Sequence, residues 1–338
     1  MASAPGHLPA ITRRTAATGG LAAVALAACG GSGMRVLLSS DTHPAGYPTV
    51  EAVQEMGRLL SERTNGRLGV RVYAGGQLGA ERDTLEITTF GGLDMNRVFM
   101  SPLNAIEPDT TIPSLPFLFQ SKDHMRRALD GAPGRAILDT LERHGLIGLC
   151  YYDSGERSFY NTRKPIYTPD DMKGMKIRTP NSDLSVATIN ATGANATPMD
   201  LGEVYQSLVQ GVIDGAENNW PSFESGRHFE AAPYYSLTRH VMTPEVLLMS
   251  KARWDRLSSA DRDIVMACAR DSVPFMRKLW DERVEGARTR LLAAGVKENE
   301  VIDRAAFVRL MKPVYDQFVT TPFQKRLVAD IEAMAASS

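Results

Sequence analysis

Three polar side chains follow predicted strands and have the chemistry of a ligand site. Arg178 ends the stretch MKIRT, where apolar and basic residues alternate until Pro180 stops the strand. Arg157 follows the apolar strand LIGLCYYDSG, and Asn218 ends the strand within VIDGAEN. Ligands of open α/β sheets bind beyond the carboxyl ends of the strands. A single arginine there is usually solvated or ion-paired, so the joint occurrence of the three predicts a ligand site.

No sequence motif of an enzyme accompanies these residues. The chain lacks G-x-S-x-G, a Walker loop, G-x-G-x-x-G, H-E-x-x-H and C-x-x-C. We expect His124 and His144 to be solvated helix residues rather than metal ligands. A catalytic triad assembles in space rather than in sequence, so a secreted enzyme acting on carbohydrate acids stays open as an alternative.

Length and composition indicate an ordinary globular protein. The 338 residues suffice for two lobes with separate cores, and 43% are hydrophobic while 23% are charged. The net charge of −1 gives no basic excess, which argues against nucleic acid or an anionic membrane as partner.

The first 33 residues have the pattern of an export signal. Arg13 and Arg14 precede an apolar stretch at 16–28, which is too short to cross a membrane. The following LAAC resembles a bacterial lipobox and predicts lipid attachment at Cys29, with a plain cleaved signal as the alternative. Cys150 and Cys268 lie in apolar contexts, and we expect them to be buried; a disulfide between them is permitted but not established.

Strands and helices alternate along the remaining chain. A strand at 34–40, a helix at 50–64, a strand at 67–77, a helix at 78–90 and a strand at 93–101 form a first α/β series. The stretch after residue 174 repeats that order, and the short connections predict parallel strands. From Trp254 onward the pattern is almost wholly helical.

Several stretches resemble one family of binding proteins. NTRKPIYTPDDMKGMKIRTPNSD and GANATPMDLGEVYQSLVQGVIDGAENNWPSF are similar to the solute-binding subunits of tripartite ATP-independent periplasmic (TRAP) transporters. The resemblance implies an α/β, two-lobed periplasmic-binding-protein-like fold with long C-terminal helices and a cleft that closes on an organic acid. After the export signal at 1–33, it implies a first lobe at 34–154 and 244–283 and a second lobe at 155–243 and 284–338.

The resemblance also assigns roles to the strand-end residues. The carboxylate-clamping arginine of the family falls on Arg178, a second arginine near the ligand falls on Arg157, and an asparagine of the site falls on Asn218. Here D-G-A-E-N replaces the commoner D-G-Q-E-N. Leu201 occupies the position of an aromatic residue in sialic-acid binders, which argues against sialic acid.

Other stretches resemble a subgroup that binds hexuronates such as glucuronate and galacturonate. They include SSDTHPAGYPTV, DMNRVF and GAENNWPS. By that analogy, His43, Glu81, Asn96 and Asn219 contact ligand hydroxyls. The resemblance implies a periplasmic binder without catalysis, cofactor or metal that serves a membrane permease. Keto acids, aldonates and dicarboxylates stay open as alternative ligands, and a receptor module that reports to a sensor stays open as an alternative role.

Overall fold

The structure is a computed structural model that describes residues 34–337. The predicted export signal, the paired arginines and the lipid attachment at Cys29 lie outside the described residues. The strands within that range are β1 (Arg35–Ser40), β2 (Leu68–Tyr73), β3 (Met95–Phe99), β4 (Leu146–Tyr152), β5 (Glu156–Asn161), β6 (Lys176–Thr179), β7 (Asn195–Pro198), β8 (Gly215–Asn218), β9 (Tyr234–Met242), β10 (Glu245–Ser250) and β11 (Lys297–Glu300).

Helices connect and cover these strands, with short 3₁₀ turns between some of them. The α-helices are α1 (Pro48–Arg63), α2 (Glu81–Thr89), α3 (Met100–Leu103), α4 (Lys122–Asp130), α5 (Ala132–Thr140), α6 (Asp183–Ala191), α7 (Val204–Val209), α8 (Trp220–Ser225), α9 (Lys251–Trp254), α10 (Ser259–Ala293), α11 (Arg304–Leu310), α12 (Lys312–Phe318) and α13 (Pro322–Ala333).

The first sheet has the order β2-β1-β3-β10-β4. The predicted parallel pairing is confirmed for β1 with β2 and with β3. Strand β10 is not among the predicted strands, and it lies antiparallel between β3 and β4. Because β10 runs backwards, its first residue, Glu245, pairs with Phe99 at the end of β3.

The second sheet has the order β11-β9-β5-β8-β6-β7. Strand β6 is parallel to β7 and β8, whereas β5 is antiparallel to β8 and β9. The amino end of β5 therefore lies beside the carboxyl end of β8, with Ser158 opposite Asn218. This reversal brings Arg157, near the start of β5, to the edge where β6 ends in Arg178 and Thr179.

Local signals define the segment around Arg178, and the predicted strand stop at Pro180 is confirmed. Strand β6 ends before Pro180, and the Ser182 hydroxyl caps α6 by accepting from the Ser185 amide at 3.5 Å. Helix α6 ends where Gly193 adopts a left-handed conformation with φ of +85°, which glycine adopts at little cost. The arginine is thus held between a strand end and a capped helix.

The 35-residue helix α10 belongs to two hydrophobic cores. Its first part contributes Cys268 and Trp280 to the core that contains Leu37 of β1. Its last part contributes Leu291 to the core around Tyr160 of β5. The predicted α/β fold with two sheets and a long C-terminal helix is confirmed.

The helices after β11 are divided between two further hydrophobic cores. Phe307 of α11 packs with Ile177 of β6, whereas Leu327 and Ile331 of α13 pack in the core that contains Leu146 of β4. The predicted lobe boundaries at 154/155, 243/244 and 283/284 stay a prediction.

Two expectations about single side chains have different outcomes. Cys150 and Cys268 are free thiols, both buried in the core that packs on the first sheet, so the expectation of burial is confirmed. His124 is 1% exposed, with Nε2 lying 2.7 Å from the Ile331 carbonyl oxygen. The prediction of a solvated His124 is wrong because α13 covers that face of α4.

None of the helices in the described part of the chain has the length and apolar character that a membrane span requires.

Candidate functional site

A cleft of about 1320 Å³ lies where the ends of both sheets meet. Five of the sequence-predicted residues line it, two arginines and an asparagine from the second sheet and two residues from the side of the first. They are Arg157, Arg178, Asn218, His43 and Glu81. The other two predicted residues, Asn96 and Asn219, do not line it.

Arg178 is a buried cation that has no carboxylate partner in the described part of the chain. Its side chain is 4% exposed, and its Nε and Nη2 donate to the Met199 carbonyl oxygen at 3.0 and 2.8 Å. Among residues 34–337, no ion pair and no acceptor for Nη1 is found. Burial lowers the pKa of Arg178, and the charge of Glu217 offsets only part of this effect. Because a guanidinium stays protonated, the cleft contains a positive charge that no ion pair neutralises within the described residues.

Arg157 differs from Arg178 because its charge is already neutralised. Its Nε and Nη2 donate to the two carboxylate oxygens of Glu217 at 2.6 and 2.8 Å. The guanidinium carbon lies 4.8 Å from the centre of the Phe99 ring. Burial lowers the pKa of Arg157, but Glu217 more than offsets this and raises it above the usual value. Arg157 therefore lies at the cleft wall with its side chain held in place by Glu217 and Phe99.

Asn218 is oriented by Arg157. Its Oδ1 accepts from Arg157 Nη1 at 2.8 Å and from the Asn219 amide at 2.9 Å. These two donors fix the oxygen side of the amide. Within the described residues Nδ2 has no acceptor, so it is a free donor at the lining of the cleft.

On the side of the first sheet, one buried guanidinium holds three carboxylates. Arg97 is 1% exposed, and it donates from Nε to Asp41 at 2.9 Å and from Nη1 to Glu81 at 3.0 Å. Its Nη1 also lies 2.6 Å from Glu245 Oε2, and Glu245 Oε1 lies 3.4 Å from His43 Nε2. We call Arg97, Asp41, Glu81 and Glu245 the acidic cluster.

The carboxylates of the acidic cluster are not equivalent. Burial raises the pKa of Glu245, but Arg97 and His43 lower it more, to about 2. The pKa of Glu81 is raised because burial outweighs the charge of Arg97. Glu81 Oε1 accepts from Arg97 and from the Phe99 amide, and Oε2 has no partner among the described residues. Glu81 thus presents an acceptor to the cleft.

The depressed pKa of Glu245 predicts an acid-dependent loss of stability. The carboxyl has a pKa of about 4.5 in the unfolded chain and about 2 in the fold, so its ionised form contributes stability above that range. This contribution is lost as the pH falls from about 4.5 towards 2. In urea denaturation at several pH values across this range, the free energy of unfolding should fall more steeply with decreasing pH for the parent than for Glu245→Gln. Equal slopes would contradict the low pKa of Glu245.

Asn96 and Asn219 are engaged within the fold instead of the cleft. Asn96 Nδ2 donates to the Thr84 hydroxyl at 3.1 Å. Asn219 caps α8 through Oδ1, which accepts from the Ser222 amide at 2.8 Å, and Nδ2 donates to the Ser154 carbonyl oxygen at 2.8 Å. Both side chains position the walls of the cleft in this structure.

Sequence reasoning missed several residues of the site. Arg97 and Phe99 lie in the quoted stretch DMNRVF and Glu217 in GAENNW, but no spacing rule pairs residues so far apart. His228 also lines the cleft, with Nδ1 lying 2.7 Å from the Tyr160 hydroxyl. Burial and the charge of Arg178 lower the pKa of His228 to about 3, so its ring is neutral.

The described part of the chain contains no candidate metal-binding site. No group of three or more His, Cys, Asp or Glu side chains is arranged there to hold a metal ion.

Residues 39–321 match the family model of bacterial extracellular solute-binding proteins, family 7 (DctP). This protein therefore belongs to that family of binding proteins. A solute-binding protein of Chromohalobacter salexigens is 46% identical over 293 residues, which cover 86% of this chain and 87% of that protein.

Solved structures extend the comparison to TRAP periplasmic solute-binding proteins. One from Bradyrhizobium, in complex with α/β-D-galacturonate, is 50% identical and has a TM-score of 0.87, covering 88% of this chain and 100% of that one. The chain is thus a TRAP-type binding protein, similar to proteins solved with a hexuronate.

A binding protein of Citrobacter koseri has been solved in two states, and both are 38% identical to this chain. The form with bound D-glucuronate has a TM-score of 0.85, covering 88% of this chain and 99% of that one. The apo, open form has a TM-score of 0.79, covering 89% and 99%. The present structure is therefore closer to the ligand-bound form than to the open form.

Proposed function

We propose that this protein captures a hexuronate, such as galacturonate or glucuronate, for delivery to a TRAP permease. The observation that carries the proposal is Arg178, a buried guanidinium at the cleft that has no carboxylate partner among the described residues. Burial of such a charge is costly without a partner. The planar carboxylate of a sugar acid matches the fork of a guanidinium.

The relatives support the choice of ligand. The TRAP binding proteins of Bradyrhizobium and Citrobacter koseri hold galacturonate and glucuronate, respectively. The lining of the cleft suits such a molecule, because Asn218 Nδ2 and Glu81 Oε2 have no partner among residues 34–337 and can serve sugar hydroxyls as donor and acceptor. We assign the carboxylate to Arg178 and the hydroxyls to Asn218, Glu81 and His43.

The arginine alone does not account for tight binding. Two charge-assisted hydrogen bonds contribute roughly 3–6 kcal/mol, whereas micromolar affinity requires about 8 kcal/mol. The hydroxyl contacts on the side of the first sheet must supply the remainder. Because those contacts form only when both sides of the cleft meet the ligand, binding favours the closed state.

A contact across the cleft supports closure in the present structure. The Tyr47 hydroxyl, at the start of α1, lies 2.9 Å from the Ser222 hydroxyl on α8. Tyr47 packs with the first sheet and α8 follows β8 of the second. In this proposal, the lobes divide near residues 154 and 243, and they separate when the cleft opens.

Calorimetry with D-galacturonate and D-glucuronate tests the proposal. We expect saturable binding at micromolar concentration and a ligand-dependent rise in melting temperature. NMR of the sugar recovered after long incubation should find it unchanged, which separates a binder from an enzyme acting on the same acids. Absence of binding to both uronates would contradict the proposal, and conversion of the sugar would favour the enzyme.

The route through the cell envelope belongs to the same proposal. An extracellular solute-binding family indicates a periplasmic protein. We propose that the first 33 residues direct export, that Cys29 carries the lipid anchor, and that the loaded, closed form engages the permease. Another organic acid is the second candidate for the ligand, since any carboxylate would satisfy Arg178.

A further inference from the structure

The two ends of the cleft carry opposite charge. At the second sheet, Glu217 pairs with Arg157 through both carboxylate oxygens, so this pair is neutral. Arg178 has no carboxylate partner among residues 34–337, so the buried groups of this end carry one net positive charge. This end therefore matches a single anionic group.

The other end is negative. The acidic cluster combines three carboxylates with one guanidinium, so the ionised cluster carries two net negative charges. Glu81 and Glu245 both line the cleft. His43 Nε2 lies 3.4 Å from Glu245 Oε1 at this end.

Four further charged side chains line the cleft, and they do not reverse the sign of the charge at either end. Arg82, Glu86 and Glu203 are exposed, and Asp200 is partly exposed. Arg82 and Glu86 belong to α2 beside the acidic cluster, and their charges cancel. Asp200 and Glu203 lie on the side of Arg178, where the charge of Asp200 acts on the guanidinium, but neither forms an ion pair with it within the described residues, and water and salt screen them. His228 adds no charge because its pKa is lowered to about 3.

The opposite ends place a requirement on the ligand. A carboxylate oxygen such as Glu81 Oε2 accepts hydrogen bonds and cannot donate. A sugar hydroxyl at this end donates to it, whereas a second carboxylate offers no proton and meets like charge in a partly desolvated cleft. Repulsion of this kind is a common source of specificity.

We propose that the acidic cluster makes the cleft selective for monoanionic polyhydroxy acids and excludes dianionic aldarates. This inference rests on the proposed function, because it takes Arg178 as the site of the first carboxylate. It removes dicarboxylates from the ligands that the sequence leaves open.

A matched pair of linear acids tests the selectivity. D-Gluconate and D-glucarate have the same six-carbon chain and differ at one end, where a hydroxymethyl group replaces a carboxylate. Each competes against labelled D-galacturonate at about pH 8, where carboxyl groups are ionised. We expect gluconate to displace the label at a concentration at least about tenfold lower than glucarate.

One variant reports on the acidic cluster itself. Glu81→Gln removes a negative charge while keeping an acceptor at the same position, so the preference for gluconate should shrink by about fivefold or more. Asp83→Asn is the matched control, because Asp83 is exposed on the same helix and does not line the cleft. In this control the preference should stay within about twofold of the parent.

The outcomes separate the two proposals. If the parent does not bind galacturonate, the proposed function fails. If it binds galacturonate but glucarate competes as well as gluconate, only the selectivity fails. An equal preference for gluconate in Glu81→Gln and in the parent also overturns the selectivity. If neither linear acid competes with galacturonate in the parent, the selectivity is overturned when glucarate binds Glu81→Gln no better than it binds the parent.

Discussion

Arg178→Ala is expected to lower the affinity for D-galacturonate by at least about a hundredfold, measured by titration calorimetry. The ligand carboxylate would enter a buried site without its charged partner, and the desolvation cost of that group would remain. Arg178 makes no ion pair within residues 34–337, so the unliganded variant should fold. Its melting temperature should fall only slightly, because the substitution removes only the two hydrogen bonds to the Met199 carbonyl oxygen.

The matched control for this variant is Arg163→Ala. Arg163 is half-exposed and pairs with Asp214 at 2.7 Å, away from the cleft lining, so its removal should leave the affinity unchanged. Arg178→Lys keeps the charge but not the planar fork, and it should bind with intermediate affinity. An affinity of Arg178→Ala within about threefold of the parent, a difference of less than 1 kcal/mol, would refute the assignment of the carboxylate to this residue.

Arg97→Leu is expected to have the largest effect on stability. Arg97 is 1% exposed and contacts Asp41, Glu81 and Glu245. Removing one partner of a buried ion pair costs about 3–5 kcal/mol because the other charge stays buried and uncompensated. Urea denaturation at neutral pH should therefore give a free energy of unfolding lower by about that amount.

Arg58→Leu is the control for Arg97→Leu. Arg58 is half-exposed and pairs with Glu55 and Glu62 along α1, and exposed pairs of this kind contribute little. Its unfolding midpoint should match that of the parent. A similar midpoint for Arg97→Leu would mean that the acidic cluster is solvated and not held by Arg97.

The part of the site that depends on local pattern could be predicted from the sequence. The end of β6 at Arg178, the stop at Pro180 and the cap at Ser182 all follow from residues within a few positions of each other. The same holds for Asn218 at the end of β8. Strand ends and helix caps are set by nearby residues, so periodicity and capping rules locate them.

The parts that depend on distant pairing could not be predicted. Strand β10 inserts antiparallel between β3 and β4 after a long excursion of the chain. That insertion brings Glu245 into contact with Arg97, and no local pattern around either residue predicts this contact. The neutralisation of Arg157 by Glu217 likewise depends on the antiparallel pairing of β5 with β8.

Residue type alone also does not separate a ligand contact from a structural contact. Asn96 and Asn219 have the side chain of Asn218, and they lie in stretches that resemble hexuronate binders. In the fold, however, neither side chain lines the cleft: Asn96 donates to Thr84, and Asn219 caps the start of α8. Asn218 differs because it lines the cleft, where Arg157 donates to its oxygen and its nitrogen has no acceptor in the described structure.

The continuity of α10 has a consequence for how the molecule unfolds. Trp280 and Leu291 lie on one uninterrupted helix, yet they belong to different hydrophobic cores. Melting either core exposes one end of this helix and removes packing that stabilises the other end. Neither core can therefore lose its structure without weakening its neighbour, and the two should denature as one cooperative unit.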